Sequence, residues 1–159
     1  MLLPKLYFSY GQFMAYDQSE HLPGCDWTEE HTGQGFARRE STVCFGTLLE
    51  FGHAEITVVF GAYPSESHAQ YERAITVPFR STSGKVTVEG PEEVGAERVF
   101  DLPCGDYKLT AAQAITSDDE ERIDLFFELV DTPLQQSPIV ISDEMLCAPA
   151  KLVETSEIA

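Results

Sequence analysis

Four histidines, four cysteines, one acidic run and one Ser-Gly-Lys triplet are the residues of this chain that could do chemistry. His21, His31, His53 and His68 stand apart, with no H-E-x-x-H or comparable spacing. They therefore read as surface or turn residues, not as zinc ligands. Cys25, Cys44, Cys104 and Cys147 form no C-x-x-C pair and read as reduced structural thiols; a disulfide stays open if the protein works outside the cytoplasm. A His and a Cys meeting in space would make a nucleophilic dyad, but no spacing selects a pair. Ser83-Gly84-Lys85-Val86 resembles the end of a phosphate-binding loop, yet Val86 stands where magnesium needs a hydroxyl and Phe79 where the first glycine belongs. No serine sits in a G-x-S-x-G elbow. The expectation is a protein with no catalytic residues, no bound metal and no cofactor.

Two acidic groups remain. Asp118-Asp119-Glu120-Glu121 admits three readings: a solvated hairpin tip, a calcium site built from clustered oxygens, or a mimic of consecutive phosphates offered to a basic partner. Asp26, Glu29 and Glu30 surround Trp27, the single tryptophan, which is either a core anchor or an exposed interface hot spot.

The global charge favours a basic partner. Against 27 Asp and Glu stand 10 Lys and Arg, a formal net charge of -17. Such a surface repels nucleic acid and anionic membranes, since holding phosphates takes Lys and Arg. Acidity that serves solubility alone is the plain alternative. No apolar run approaches the length needed to cross a bilayer, and the N-terminus lacks the pattern of a secretory signal, so a soluble cytoplasmic protein is expected. The chain contains no Asn and thus no N-glycosylation site.

The elements that must position these residues are mainly strands. At 159 residues and 43% apolar content, with 10 Phe and 6 Tyr, the chain has the size and core of one domain. Short stretches of alternating apolar residues predict strands near 6–14, 43–51, 54–63, 74–79, 85–89, 98–101, 107–115 and 122–130. In the last, Ile123, Leu125, Phe127 and Leu129 face one way and Arg122, Asp124 and Glu128 the other. Hairpins are expected at Glu50-Phe51-Gly52-His53 and at 116–121. Pro78 marks its strand as an edge or a bulge. Asp26 with Glu29 reads as a helix cap with Trp27 as the first helical residue and an end near Gly33 or Gly35, and a second helix is expected over about 65–73. Tyr107 reads as a turn-closing core residue. About eight strands and one or two short helices predict a mostly-β, single-domain antiparallel sandwich over 1–131. Residues 132–159, punctuated by Pro133, Pro138 and Pro149, read as an acidic, partly ordered tail with one added strand near 138–142.

Several blocks also carry a family pattern. Asp26-Trp27-Thr28-Glu29-Glu30, then Gly35-Phe36-Ala37, then 71–79 (YERAITVPF), then 100–109 (FDLPCGDYKL), with Ser9-Tyr10-Gly11-Gln12-Phe13 before them, resemble the competence protein J family in order and spacing. The resemblance spans roughly residues 5 to 130. It implies inhibition of a DNA-entry nuclease by direct complex formation: a protein partner, with no direct contact to nucleic acid or membrane. The physical expectation is that carboxylates occupy the Lys- and Arg-lined cleft that otherwise holds phosphates. The residues expected to bind the nuclease are Asp26, Trp27, Glu29 and Glu30, with Asp118, Asp119, Glu120 and Glu121 as a second cluster. The second cluster and the tail fall outside the family pattern and point to a different partner, such as a toxin nuclease to which this chain gives immunity. A calcium-dependent or carbohydrate-binding sandwich is the alternative reading.

Overall fold

The computed structural model describes residues 1–92 and 96–159. Its strands, in chain order, are β1 (Leu6–Phe8), β2 (Gln12–Asp17), β3 (Phe36–Arg39), β4 (Thr42–Gly46), β5 (Gly52–Phe60), β6 (Arg73–Ser81), β7 (Lys85–Glu89), β8 (Val99–Asp101), β9 (Gly105–Ser117), β10 (Glu120–Val130) and β11 (Ile139–Ile141). They form a six-stranded sheet in the order β1-β5-β10-β9-β6-β11 and a five-stranded sheet in the order β3-β4-β2-β7-β8. Phe8, Phe13, Phe36, Phe45, Phe79 and Phe127 fill the space between the sheets. Phe127 is the hub there, with Phe79, Phe100 and Tyr107 meeting it edge-on at 5.8, 5.5 and 6.2 Å. The Tyr107 hydroxyl donates to the Pro103 carbonyl at 2.6 Å, closing the turn into β9.

Several expectations are corrected. The stretch 6–14 is two strands, because Tyr10 and Gly11 both adopt positive φ (56° and 61°) and turn the chain from the six-stranded sheet into the other. The stretch 50–53 is no hairpin: β4 and β5 lie in different sheets, so the loop between them is a sandwich corner. β9 and β10 do form the expected antiparallel hairpin, but β10 also runs parallel to β5, so the sandwich is not purely antiparallel. Leu129 is 63% exposed, since the buried stripe of β10 stops at Phe127. Residues 65–70 make a 3-10 turn, and Arg73 already belongs to β6.

At Pro78 the edge reading is right locally. Thr76 donates outward to the Pro138 carbonyl and Arg80 to the Glu40 carbonyl, at 3.0 and 2.9 Å. Pro78 lies between them, where no ladder donor is required.

The helix α1 (Glu29–Gln34) is capped by Thr28 rather than Asp26. Thr28 Oγ1 accepts from the His31 amide, and His31 Nδ1 accepts from the Thr28 amide at 3.0 Å, so a histidine fills the place Glu or Gln takes in a capping box. Asp26 lies before the helix, its amide donating to the Glu157 carbonyl at 2.9 Å beside a Cys25–Ile158 bridge. Gly35 ends the helix at φ 85°.

Residues beyond 131 run along α1 and β3. Gln34 exchanges two 2.8 Å bonds with the Val153 backbone, His31 Nε2 meets the Thr155 carbonyl at 2.9 Å, and Arg38 donates to the Glu154 carbonyl at 2.7 Å.

Candidate functional site

Period-two geometry places three polar side chains in phase with the core at one end of the six-stranded sheet: Arg73 on β6, Gln113 on β9 and Glu121 on β10. Each is buried. Glu121 accepts from the amides of Leu48 and Leu49, both at 3.0 Å, and from Gln113 Nε2 at 3.2 Å. Burial pushes its carboxyl above the usual carboxylate range despite these donors. Gln113 and Arg73 both donate to the Gly46 carbonyl, tying the second sheet to this layer. Arg73 also makes two bonds to Asp143, from Nε at 2.7 Å and from Nη2 at 3.0 Å. Burial disfavours the Asp143 charge, but the guanidinium prevails and holds its carboxyl below the ordinary range.

Above this layer opens a cleft of about 420 Å³, lined by Tyr10, Gln12, Trp27, Thr32, Thr47 and Met145 among others. A neighbouring cavity of about 480 Å³ shares Met145 and adds Leu48, Ile115, Glu72 and Glu144. Large apolar groups face solvent here: Tyr10 is 76% and Met145 58% exposed. Trp27 is half-buried, its indole donating to Gln12 Oε1 at 3.1 Å while its ring packs on Cys25, Ala37 and Cys44. It is thus an anchor that keeps part of its ring at the surface.

No carboxylate is among the described residues lining the cleft itself; acidic groups adjoin its lining residues in the chain and at the neighbouring cavities. Asp26, Glu29 and Glu30 are exposed beside Trp27, and Glu72 and Glu144 are exposed at the adjoining cavity. Glu30 is held below the usual range by its own amide and the Thr28 hydroxyl, so it stays ionised. Glu50 is exposed where its carbonyl accepts the Gly11 amide at 2.7 Å. Among the described residues lining the two cavities the one cation is Arg73, 3% exposed and committed to Asp143.

The run 118–121 is divided by the fold. Asp118 and Asp119 are exposed at the β9–β10 tip, where the Asp119 carbonyl accepts the His53 amide at 2.9 Å. Glu120 pairs with Lys5 at 2.7 Å. Glu121 is 0% exposed and faces no partner, because it shares the inward phase of Ile123 and Leu125. Contacts run from Trp27 to Gln12, from Gly11 to Thr47 and Glu50, and from Leu48 and Leu49 to Glu121. That chain of contacts puts both acidic clusters at the same end of the sandwich. Tyr10, Glu72, Glu144 and Met145 are site residues the sequence reading missed; the Tyr10-Gly11 pair, a turn signal inside an apolar stretch, was the available clue to the first.

Elsewhere two histidines are held by the protein's own groups. His31 closes the helix cap, and His68 stacks on Tyr63 and bonds its hydroxyl at 2.7 Å. Cys25 and Cys44 are buried and unbridged. Among the described residues no three His, Cys, Asp or Glu side chains converge as a metal site, the tip at Asp118 included.

Two packed sheets carrying a partly apolar cleft with exposed carboxylates nearby define a small acidic β-sandwich. The model of the competence protein J family matches residues 5–130, and the chain belongs to that family. A DNA-entry nuclease inhibitor of Bacillus subtilis (strain 168) is 32% identical over 107 residues, covering 67% of this chain and 76% of the relative. The crystal structure of ComJ from Bacillus subtilis, inhibitor of the DNA-degrading activity of NucA, superposes with a TM-score of 0.69 at 26% identity, over 82% of this chain and 96% of that one. A structure described as crocagin biosynthetic gene J shares the fold, with a TM-score of 0.51 at 13% identity over 79% and 96% of the two chains.

Proposed function

We propose that this protein inhibits a DNA nuclease by docking its acid-rimmed cleft on the enzyme's basic groove, and performs no chemistry of its own. The observation that carries the reading is the setting of exposed Tyr10 and half-buried Trp27 beside the exposed Asp26, Glu29 and Glu30, with the lining Arg73 already neutralised. A nuclease must hold a polyanion, so its groove is cationic. Exposed carboxylates steer encounter, while the aromatic groups supply the desolvated centre from which affinity comes. The similar Bacillus subtilis proteins, a DNA-entry nuclease inhibitor and ComJ, support the same reading.

The test is a titration of DNA cleavage by nucleases from the same source. The endpoint is expected to scale with nuclease concentration, and the complex to weaken as salt rises. Reversing Glu29 and Glu30 to Lys together is expected to slow association by about tenfold at low salt, with a smaller effect at high salt. Cleavage left untouched across the panel would sink the proposal.

A further inference from the structure

The match to the family model stops at residue 130, yet one wall of the cleft is built by residues 143–146. This wall is firmly seated. Asp143 takes the buried Arg73 fork, and the Leu146 amide returns to the Asp143 carbonyl at 3.3 Å, closing a turn. Leu146 packs on the main core, and the Cys147 amide donates to the Gly33 carbonyl at 2.9 Å.

The helix is shaped for this crossing. A Cβ at Gly33 would lie 2.3 Å from the Cys147 carbonyl oxygen, and one at Gly35 would lie 2.9 Å from Leu146 Cδ2. Glycine inside a helix costs about 1 kcal/mol relative to alanine. At Gly33 that cost is the condition for the close passage of 143–147.

Held at both ends, the turn presents its middle outward: Glu144 and Met145 are both exposed, Met145 at 58%. Met is adaptable and polarizable, and it is enriched at protein interfaces. A fixed turn that displays a thioether next to a carboxylate matches an apolar spot bordered by Lys or Arg on another protein.

We propose that the Asp143–Cys147 turn determines which nuclease this protein inhibits, Met145 seating on an apolar spot and Glu144 on the basic side chain beside it. The inference rests on the docking function proposed above and goes beyond it: residues within the family match supply the acidic seat, and this turn outside the match supplies discrimination. Specificity is a difference of affinities, and one or two contacts private to a pair of partners suffice to create it.

The experiment compares wild type, Met145→Gln and the double variant Glu144→Lys/Met145→Ala. The probes are the DNA nuclease of the protein's own source that wild type inhibits and NucA of Bacillus subtilis, and melting curves serve as the folding control. Both positions are exposed, so melting is expected to be unchanged. In the double variant the inhibition constant for the own-source nuclease is expected to rise about tenfold or more. For NucA it is expected to move less than about threefold, or to lie beyond the reach of wild type and variant alike. Equal losses on both nucleases overturn the inference, and so does an unchanged constant on the own-source enzyme; both outcomes leave the docking function standing. Wild type that inhibits neither overturns the docking function and this inference with it.

Discussion

β2 joins two ends of the sandwich that use carboxylates in opposite ways. At its far end Asp17 is 0% exposed and gathers the amides of Ser19, Thr82 and Ser83 at 3.0, 3.0 and 3.1 Å, with the Ser19 and Thr82 hydroxyls at 2.6 and 3.0 Å. One carboxylate there fastens two loops. At the Gln12 end Asp26, Glu29, Glu30 and Glu144 are exposed, and Glu121 in the layer beneath the cleft is buried and saturated like Asp17. A net charge of -17 is therefore not one property. Buried carboxylates spend their charge on the protein's own amides, and exposed ones leave it for a partner.

The sharpest way to break this contrast is Asp17→Ala. Removing the acceptor of three amides is expected to lower unfolding free energy by about 3 to 4 kcal/mol, read by chemical denaturation. The molecules that remain folded should inhibit with unchanged stoichiometry. Inhibition falling faster than the folded fraction would show the two ends to be coupled. Trp27→Ala acts at the other end, where binding should weaken by about 2 kcal/mol, roughly thirtyfold, read by calorimetry with the nuclease. A change confined to melting would make Trp27 an anchor and nothing more.

The smallest effect is pH dependence, and it separates the two buried carboxylates. At Asp17 burial opposes the charge, but the Ser19, Ser83 and Thr82 donors outweigh it and hold the carboxyl well below its ordinary 3.8. Its contribution is present above 3.8 and is lost as pH falls through the lower folded value. At Glu121 burial outweighs the Leu49, Gln113 and Leu48 donors, and the carboxyl sits above its ordinary 4.5. The folded state then holds that proton more tightly, so this contribution is complete below 4.5 and fades as pH rises through the raised value. Above pH 4.5 Glu121→Gln should gain on wild type as pH rises, whereas Asp17→Asn should lose ground only as pH rises toward 3.8 and hold level above it, in parallel denaturation series. Both variants drifting the same way would remove the distinction.

Much of the sheet structure was legible because period two survives in the sequence: β7 falls on the expected residues, and β9 and β10 extend theirs by a few. The same periodicity held the clue to Glu121, which keeps phase with Ile123 and belongs to the core face although its neighbours are charged. Sheet assignment was not legible. A corner such as 47–51 and a hairpin share turn residues, and only packing decides which sheet receives the next strand. The cap on α1 moved from Asp26 to Thr28 because the Asp26 backbone is claimed by Glu157, a contact more than a hundred residues away in sequence. The wall at Met145 was hidden for the same reason: Pro-broken polar sequence reveals nothing of the core it lies on.

The parallel pairing of β10 with β5 has a kinetic consequence. Hairpins such as β9–β10 close locally, whereas bringing β10 beside β5 means first ordering a loop of about sixty residues, the slow, high-contact-order step of such a fold. The Leu48 and Leu49 amides receive Glu121 only once that step is complete. An incompletely folded chain thus lacks the floor beneath its own cleft, and inhibition begins only at the end of the folding route.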